Sequence, residues 1–371
     1  MVNLILIGFG NVGRGLAEIL MLRRRTLKDR YGLDFKVVAI VDRGGAAISE
    51  AGVDLTRALE VKRSLGSVSA MKFIGKPGLS AMEVIEEIDG DIVVETTSNN
   101  LESGEPELTH IKRALTSGKH VVTTNKGPLA LALPSLLDLA QREGMILRFS
   151  GAVGGAMPIL DFIRNLLCGD EILSIQGVLN GTTNYILWSM SERHLTMDQA
   201  VAEAQRLGYA EKNISYDIDG LDTASKIIVI ANYIMGLRIS LRDVNIKGIR
   251  GITPEDLLEA KRRGFTIRLI GFISHDEVKV SPEEIPLDNP LSVGSNLNAV
   301  KVDCAHSGQH VAIGPGAGGR ETASSVMRDI IIIINDVYRK ENGGKSPLKN
   351  CSCRAFLSVP YPTRIGGVNF V

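Results

Sequence analysis

The amino-acid sequence predicts an α/β protein, in which a doubly wound parallel sheet is followed by an α+β unit with a mostly antiparallel sheet. Three observations predict this fold class. Short apolar runs alternate with helical patterns over the first 150 residues, a glycine-rich turn follows the first run, and several strand-like segments follow one another beyond residue 265. The 371 residues, 44% of them hydrophobic, suffice for two or three domains.

The first predicted strand is the apolar run from Leu4 to Ile7, and the turn GFGNVG and a helical pattern follow it directly. This order is the dinucleotide fingerprint of a Rossmann-type domain. Gly8 would permit the tight turn, Gly10 would let backbone N–H groups approach a pyrophosphate, and Gly13 would let helix and strand pack closely. A purely structural turn is the alternative. The candidate cofactor-binding residues here are Gly8, Phe9, Gly10, Asn11, Val12 and Gly13.

The second predicted strand, Phe35 to Val41, ends in a pair of residues at the point where such folds select their cofactor. Asp42 could accept a hydrogen bond from a ribose 2′-OH and favour NAD, whereas Arg43 could pair with a 2′-phosphate and favour NADP. The sequence leaves this choice open. The long interval between Gly13 and Asp42 predicts that the first helix extends through the basic segment 23–30.

Two further β-rich runs, Asp91–Glu95 and His120–Thr124, are separated by a predicted helix from Glu107 to Ser117. Ligands of open α/β sheets bind outside the carboxyl ends of the strands, so the polar residues that follow these runs are candidates by position. An exposed turn lysine is the alternative for Lys126. These candidates are Thr97, Ser98, Asn125 and Lys126.

The glycine-rich segment at 149–158 is predicted to be a loop between units, either a plain hinge or a source of carbonyl ligands for a cation. Beyond it, the patterns predict strands and helices of the α+β unit. The last helix, about Thr322 to Val337, follows the turn GPGAGG and is expected to dock on the first domain, with Gly318 near the cofactor. The other predicted elements are strand 172–179, a helix from Tyr185, helices 197–206 and 219–235, and strands 267–272, 278–280 and 311–313.

Residues 207–226, LGYAEKNISYDIDGLDTASK, combine acids with one lysine. If a helix begins near Asp219, then Asp219, Asp222 and Lys226 lie within about 60° of arc on one face. The alternative interpretation is a helix start with acids at its positive end and an ordinary i,i+4 pair worth about 0.3–0.5 kcal/mol. Spacing alone does not decide between them.

The charge balance gives no reason to expect nucleic acid or an anionic membrane as a partner, because 42 basic and 42 acidic side chains cancel. The apolar start has no basic flank and is soon interrupted by glycines, so neither a signal peptide nor a membrane span is predicted, and a cytoplasmic protein is expected. The cysteines lack zinc spacing and are predicted to be reduced thiols: Cys168, Cys304, Cys351 and Cys353.

Several motifs, in order from about residue 4 to 335, together resemble the homoserine dehydrogenase family: GFGNVG, TSNN, TTNKGPLA, GAVGGAMPI, LNGTTNYIL, LGYAE…D…D…K and GPGAGGRETAS. The glyceraldehyde-3-phosphate type of dehydrogenase needs a cysteine after a strand, where this chain has none. The resemblance implies reversible reduction of aspartate 4-semialdehyde to homoserine with NADP or NAD, a step toward threonine and methionine. It also implies a homodimer.

The resemblance carries site roles onto matching positions. The implied catalytic residues are Lys226, Lys126 and Asp222, and the implied substrate-binding residues are Glu211, Asp217, Gly181 and Thr182. A lysine ammonium at the carbonyl oxygen would stabilise the negative charge that hydride delivery creates and would supply a proton. The implied domains are 1–150 for the cofactor, 151–310 for catalysis and dimerisation, and 311–340 for the returning helix, while the tail 341–371 has no assigned role.

The family also uses loop carbonyls and a glutamate for a monovalent cation. The matching carbonyls belong to Val153, Gly155 and Met157, but Ser150 takes the place of the glutamate, which weakens the expectation of Na⁺ or K⁺. Asn213-Ile214 replaces a common Asp-Pro, and no control through a regulatory ACT domain is expected. A dehydrogenase of another amino-acid semialdehyde and a non-catalytic dinucleotide sensor are the competing functional hypotheses.

Overall fold

The computed structural model describes residues 1–211 and 213–341, and the strands of this part form two sheets. The strands are β1 (Val2–Ile7), β2 (Phe35–Asp42), β3 (Gly45–Ile48), β4 (Gly75–Pro77), β5 (Ile92–Glu95), β6 (His120–Thr123), β7 (Leu147–Arg148), β8 (Ile172–Val178), β9 (Asn245–Ile246), β10 (Phe265–Ser274), β11 (Val278–Pro286), β12 (Leu297–Cys304) and β13 (Gly308–Pro315).

Helices cover the sheets and link their strands. They are α1 (Asn11–Tyr31), α2 (Leu55–Leu65), α3 (Ala81–Glu87), α4 (Glu107–Thr116), α5 (Lys126–Arg142), α6 (Ile159–Asp161), α7 (Gly181–Arg193), α8 (Met197–Arg206), α9 (Ser215–Ile218), α10 (Leu221–Ile230), α11 (Pro254–Arg262) and α12 (Gly319–Glu341). π-helical turns, Phe162–Leu166 and Ala231–Met235, extend α6 and α10. Among the described residues, no helix is both long enough and apolar enough to cross a membrane.

The first sheet has the order β4-β3-β2-β1-β5-β6-β7, with β2, β1, β5, β6 and β7 parallel and β3 and β4 antiparallel at one edge. Helices cover both faces of the parallel part, so the inner strands are mostly apolar. The chain leaves β1 toward β2 on one side and later returns to β5 on the other. This reversal opens a crevice at the carboxyl end of β1, where such sheets bind ligands. The predicted doubly wound sheet is confirmed; the antiparallel strands β3 and β4 were not predicted.

Helix α1 is long, as the interval between the glycine turn and Asp42 predicted. Leu16, Leu20 and Leu27 bury one stripe of it against the first sheet, and its basic residues face solvent. It ends at Gly32, whose φ of 65° provides a left-handed cap that a residue with a side chain would rarely adopt.

The second sheet has the order β13-β12-β8-β10-β11-β9 and is antiparallel except for the β9–β11 pair. This confirms the predicted mostly antiparallel sheet. Strand β12 was not predicted, because Asn298, Lys301 and Asp303 interrupt its apolar run. Its central place between β8 and β13 nevertheless buries most of it, including Asn298.

The region before Lys226 differs from the prediction of one helix that begins near Asp219. A short helix, α9, ends first, and α10 begins only at Leu221, because Gly220 adopts a φ of 85° between them. Asp219 therefore lies outside α10 and pairs with Arg250, whose Nη2 lies 2.9 Å from its Oδ2. Helix α7 likewise begins at Gly181 and not at Tyr185.

Helix α12 packs against α1 and the first sheet, as predicted. Gly15 and Gly319 allow the close approach of α1 and α12, since a Cβ added to Gly15 would lie 3.0 Å from the carbonyl oxygen of Gly319. The α12 residues buried in the same core as α1 are Ala323, Val326, Met327, Ile330 and Ile333. The tail from residue 342, with Cys351 and Cys353, lies outside the described residues.

Candidate functional site

The carboxylate of Asp222 holds two lysines that are 100 positions apart in the sequence. Its Oδ2 lies 2.7 Å from Lys226 Nζ, one helical turn further along α10, and its Oδ1 lies 3.2 Å from Lys126 Nζ at the start of α5. Lys226 Nζ also donates to the carbonyl oxygen of Leu179 at 2.6 Å. The structure thus brings together the three residues that the sequence proposed as catalytic.

Asp222 stays ionised although it is buried. Burial alone would raise its pKa, but the ammonium groups of Lys226 and Lys126 outweigh burial and hold the pKa below its ordinary value. An ionised Asp222 in turn keeps both ammonium groups oriented by charge-assisted contacts. The cluster therefore has fixed positive charge next to an open crevice.

Asp217 completes the cluster from α9. Burial and the nearby charge of Asp222 raise the pKa of Asp217 to about 6. Asn180 separates the two acids, because its side-chain amide donates to Asp217 Oδ1 at 2.5 Å and to Asp222 Oδ2 at 2.8 Å. One amide thus keeps two carboxylates side by side without direct contact.

Asn180 is a site residue that the sequence analysis did not name. It ends the loop after β8 and caps α7, since its Oδ1 accepts from the backbone N–H of Thr183 at 2.7 Å. A side-chain oxygen used for the cap leaves the amide N–H₂ free to reach the acids. The signal in the sequence was an asparagine before glycine and threonines directly after a predicted strand.

Of the other predicted substrate-binding residues, two lie next to the cluster and one does not. Gly181 and Thr182 form the first turn of α7 next to the cluster, and Thr182 Oγ1 donates to the carbonyl oxygen of Tyr209 at 2.7 Å. Glu211 is exposed, and its backbone carbonyl oxygen accepts from Gln205 Nε2 at 3.1 Å. Within the described residues, its carboxylate has no contact with either lysine.

The glycine turn fits a dinucleotide. Gly8 has a φ of 93°, and a Cβ on it would lie 2.6 Å from the backbone of Thr96. A Cβ on Gly13 would overlap the carbonyl oxygen of Gly8, whereas a Cβ on Gly10 would meet no protein atom within 4 Å. Gly10 thus borders open space at the start of α1, which has no acid in its first turn and no side-chain cap. These are the features of a pyrophosphate site.

The neighbours of this turn have different surroundings. Phe9 buries its ring in the core, Val12 packs partly against the same core, and Asn11 is exposed with its Oδ1 accepting from Arg14 at 2.7 Å. Only the backbone of Phe9 can therefore contribute to a cofactor site. Gly318, with a φ of 130°, lies directly before α12, which packs on α1.

Asp42 and Arg43 have opposite environments. Each carboxylate oxygen of Asp42 accepts two hydrogen bonds from the protein, while Arg43 is exposed. The donors are Gly44 N and Ser67 Oγ to Oδ1, and Lys62 Nζ and Val68 N to Oδ2, at 2.7–3.0 Å. These donors fill the usual acceptor positions of a carboxylate, so Asp42 has none left for a ribose hydroxyl.

A chain of contacts joins the cofactor turn to the lysine cluster. Thr96 Oγ1 donates to the carbonyl oxygen of Gly8 at 2.9 Å, and the Thr97 hydroxyl lies 3.3 Å from Asn125 Nδ2. Lys126 follows Asn125 directly, and Ser98 is exposed beside them. Thr97, Asn125 and Lys126 therefore lie along a chain of contacts with the glycine turn.

Two positions of the predicted cation loop already have protein partners. The carbonyl oxygen of Gly155 already accepts from Ser325 Oγ at 2.5 Å. Ser150, in place of the glutamate, donates from its backbone and side chain to Asp329 at 2.8 and 2.7 Å. Val153 and Met157 are buried, and no cluster of acidic, histidine or cysteine ligands occurs among the described residues.

The acids near this loop are neutralised by arginines. Arg148 lies 2.5 Å from Asp161 and 3.1 Å from Asp329, and Arg328 lies 3.4 Å from Asp161. The Arg148 network, as we call Arg148, Asp161, Arg328, Asp329 and Ser150, thus balances two acids with two guanidinium groups. This balance leaves no excess negative charge to attract a cation.

Comparison with known proteins agrees with this geometry. Residues 158–331 match the family described as homoserine dehydrogenase, and residues 8–150 match the homoserine dehydrogenase NAD binding domain. A homoserine dehydrogenase from Methanocaldococcus jannaschii is 46% identical over 337 residues, which are 91% of this chain and 100% of that protein. An NAD(+)-dependent homoserine dehydrogenase from Pseudomonas canavaninivorans is 34% identical, covering 91% of this chain and 98% of its own length.

Solved structures agree as well. A putative homoserine dehydrogenase from Archaeoglobus fulgidus superposes with a TM-score of 0.83 at 38% identity, over 90% of this chain and 99% of that one. A hyperthermophilic archaeal homoserine dehydrogenase in complex with NADPH superposes with a TM-score of 0.79 at 34% identity, over 90% and 97% of the two chains. The glycine turn, the two lysines on one carboxylate and these matches lead to one conclusion: the chain belongs to the homoserine dehydrogenase family.

Proposed function

We propose that the cluster around Asp222 performs NAD(P)-dependent hydride transfer between homoserine and aspartate 4-semialdehyde, a step toward threonine and methionine. The observation that carries this assignment is the pair of ammonium groups held by Asp222 beside the crevice of the glycine turn. When bound, the nicotinamide cofactor accepts a hydride from the hydroxymethyl carbon of homoserine or returns it to the aldehyde carbon.

One lysine transfers the proton to and from the substrate oxygen, and the other stabilises the negative charge on that oxygen. Lys226 is held by Asp222 and by the carbonyl oxygen of Leu179, so its ammonium group has one N–H left for the substrate oxygen. It donates this proton when the aldehyde is reduced and takes the proton back when homoserine is oxidised. Lys126 adds a second positive charge, which stabilises the oxyanion.

The acids and the start of α7 hold the rest of the substrate. Asp217, which belongs to the cluster, would attract the amino group of homoserine, whereas Glu211 is assigned the same role by resemblance alone. The backbone N–H groups of Gly181 and Thr182, at the positive end of α7, suit its carboxylate. The substrate's opposite charges would thus fix which end of it reaches the lysines.

The test is homoserine oxidation by the purified chain. We expect Lys226→Ala to reduce turnover by about two orders of magnitude or more, the usual scale for general acid–base catalysis. Lys261→Ala is the matched control, because Lys261 pairs with Glu192 at the surface and should keep full activity. Full turnover in Lys226→Ala would contradict the assigned role. Turnover only with another hydroxy amino acid, or cofactor binding without turnover, would support the competing hypotheses.

We further propose that Arg43 favours NADP, because it is exposed at the end of β2 while Asp42 is saturated by protein donors. The expected result is a higher kcat/KM with NADP than with NAD. Arg43→Ala should lower the NADP value by about tenfold, the scale of one lost charged contact, and leave the NAD value unchanged. Equal loss with both cofactors would refute this selectivity.

We also propose that the protein is a homodimer in the cytoplasm. Exposed apolar side chains lie in or beside the second sheet, namely Leu166, Leu173 and Ile313, and a second copy would cover such a surface. Light scattering should give twice the 40.0 kDa mass of one chain. Cys168 is an exposed free thiol, which suits a reducing compartment.

A further inference from the structure

A second buried cluster lies beneath the crevice, around Glu95. This residue ends β5 and is paired with Ile7 of β1 on one side and with Thr123 of β6 on the other, so its backbone is fixed within the sheet. Its side chain is 0% exposed. A carboxylate at such a place is tolerated only when hydrogen bonds replace its lost water.

Glu95 receives its hydrogen bonds from the residues that line the crevice. Its Oε1 accepts from Thr97 N at 2.8 Å, from Thr97 Oγ1 at 2.5 Å and from Asn125 Nδ2 at 3.3 Å. Its Oε2 lies 2.7 Å from His110 Nδ1 on α4. An ionised Glu95 requires the proton of His110 on Nδ1, so a buried imidazole anchors the carboxylate from below.

The start of α5 depends on this arrangement. Asn125 is the N-cap residue of α5, yet its side chain makes no cap and instead reaches Glu95. Asn99 supplies a partner for the helix start in its place, since its Oδ1 accepts from Gly127 N at 2.9 Å. The loops after β5 and β6 are therefore interlocked, and Lys126 lies between the two contacts.

Glu107, in the first turn of α4, adds a second acid to this cluster. It is 1% exposed, and its Oε2 has no hydrogen-bond partner in the described structure. Burial and the charge of Glu95 raise the pKa of Glu107. Glu95, which accepts the hydrogen bonds of Thr97 and Asn125, is the acid that organises the cluster.

We propose that Glu95 and His110 form a buried positioning pair, which holds Thr97 and Asn125 in place and thereby fixes Lys126 relative to the cofactor. The proposal rests on the function assigned to Lys126 above. Neither residue reaches the crevice, so the pair acts through the groups it orients. Its loss should lower the rate of the chemical step more than it weakens homoserine binding, because a misplacement of about 1 Å costs as much as a hundredfold in rate.

The test compares two substitutions of His110 in the full chain. His110→Phe keeps a ring in the buried space but removes the donor to Glu95, and we expect kcat to fall by about tenfold to a hundredfold with KM for homoserine within about twofold. His110→Asn places an amide N–H where Nδ1 stood and should recover most of the lost kcat. Thermal unfolding should show that both variants remain folded at the assay temperature.

The control is His306→Phe, because the ring of His306 lies 3.0 Å from Asp170 at the exposed surface of the second sheet and should be dispensable. Wild-type kcat in His110→Phe, or equal losses in folded His110→Phe and His110→Asn, would overturn the proposal, since packing would then matter and the donor would not. An inactive wild-type chain would instead contradict the function assigned to the cluster around Asp222.

Discussion

At the scale of single residues, Asp222 matters because one buried carboxylate serves two ammonium groups. A lone buried acid would lose its charge, and two lysines without it would repel each other. Asn180 bridges Asp222 and Asp217, and the two acids differ in pKa because the lysines lower that of Asp222 while burial and the charge of Asp222 raise that of Asp217. The site therefore has one permanently charged acid and one acid that titrates near neutrality.

The raised pKa of Asp217 predicts a pH-dependent affinity for homoserine. The charged form attracts the substrate ammonium group, and Asp217 becomes neutral as the pH falls through about 6. KM should therefore rise below pH 6, by about tenfold per unit well below that value, as expected for one titrating group. Asp222 stays charged over this range because its pKa is held low.

Initial rates at several homoserine concentrations between pH 5 and 8 check this prediction. Asp217→Asn is the companion variant, because it should have a high KM at every pH and no rise below pH 6. A KM that is flat with pH in the unsubstituted enzyme would exclude this role for Asp217.

Single residues show where sequence reasoning stops. Lys126, Asp222 and Lys226 could be proposed from strand ends, spacing and resemblance, but their meeting on one carboxylate depends on the packing of α5 against α10. Asp219 and Asp217 look equivalent in the sequence. In the structure Asp219 pairs with Arg250, whereas Asp217 accepts a hydrogen bond from Asn180.

At the scale of elements, Gly8 and Gly10 of the turn between β1 and α1 have different roles, one in folding and one in cofactor binding. Gly8→Ala should destabilise the fold by more than about 1 kcal/mol, because its φ is 93° and its Cβ would meet the backbone of Thr96. Gly10→Ala should leave the unfolding temperature unchanged, because no protein atom lies within 4 Å of its Cβ.

The same pair separates folding from binding. Gly10→Ala should weaken NADP binding by at least about tenfold, or 1.4 kcal/mol, because the methyl group would occupy the space of the pyrophosphate. Calorimetric titration of NADP measures this loss, with thermal unfolding as the companion measurement. Wild-type affinity in Gly10→Ala would show that the phosphates bind elsewhere.

Elements with a strong local hydrophobic pattern were predictable from the sequence. Elements whose burial depends on neighbouring elements were not. The apolar runs of β1, β2, β5 and β6 and the long α1 follow from periodicity alone. Strands β3, β4 and β12 depend on neighbours for their burial, so their short or mixed patterns carry little signal. Helix α7 begins earlier than predicted, because the cap supplied by Asn180 adds a turn that its composition does not suggest.

At the scale of the whole molecule, the Arg148 network joins β7, α6 and α12, which lie far apart in the sequence. Arg148 and Asp329 are buried, with 13% and 0% of their side chains exposed. Arg148→Met should destabilise the fold by about 3–5 kcal/mol, because it leaves the buried Asp329 without its guanidinium partner and Asp161 with Arg328 alone.

Denaturant unfolding measures this effect. Arg250→Met is the matched control, since it removes an exposed arginine–aspartate pair and should leave the unfolding midpoint unchanged. Equal midpoints for the two variants would mean that the network adds nothing to stability. The double variant Arg148→Met with Asp329→Leu should recover part of the loss, because both buried charges are then removed together.

Helix α12 also bears on the time at which the cofactor site forms. Its buried residues complete the core that α1 and the first sheet begin, although about 290 residues of chain separate the two helices. During synthesis the ribosome therefore releases the glycine turn long before it releases α12. A nascent chain can therefore form most of the sheet, yet the core beside the glycine turn is completed only when α12 has emerged as well.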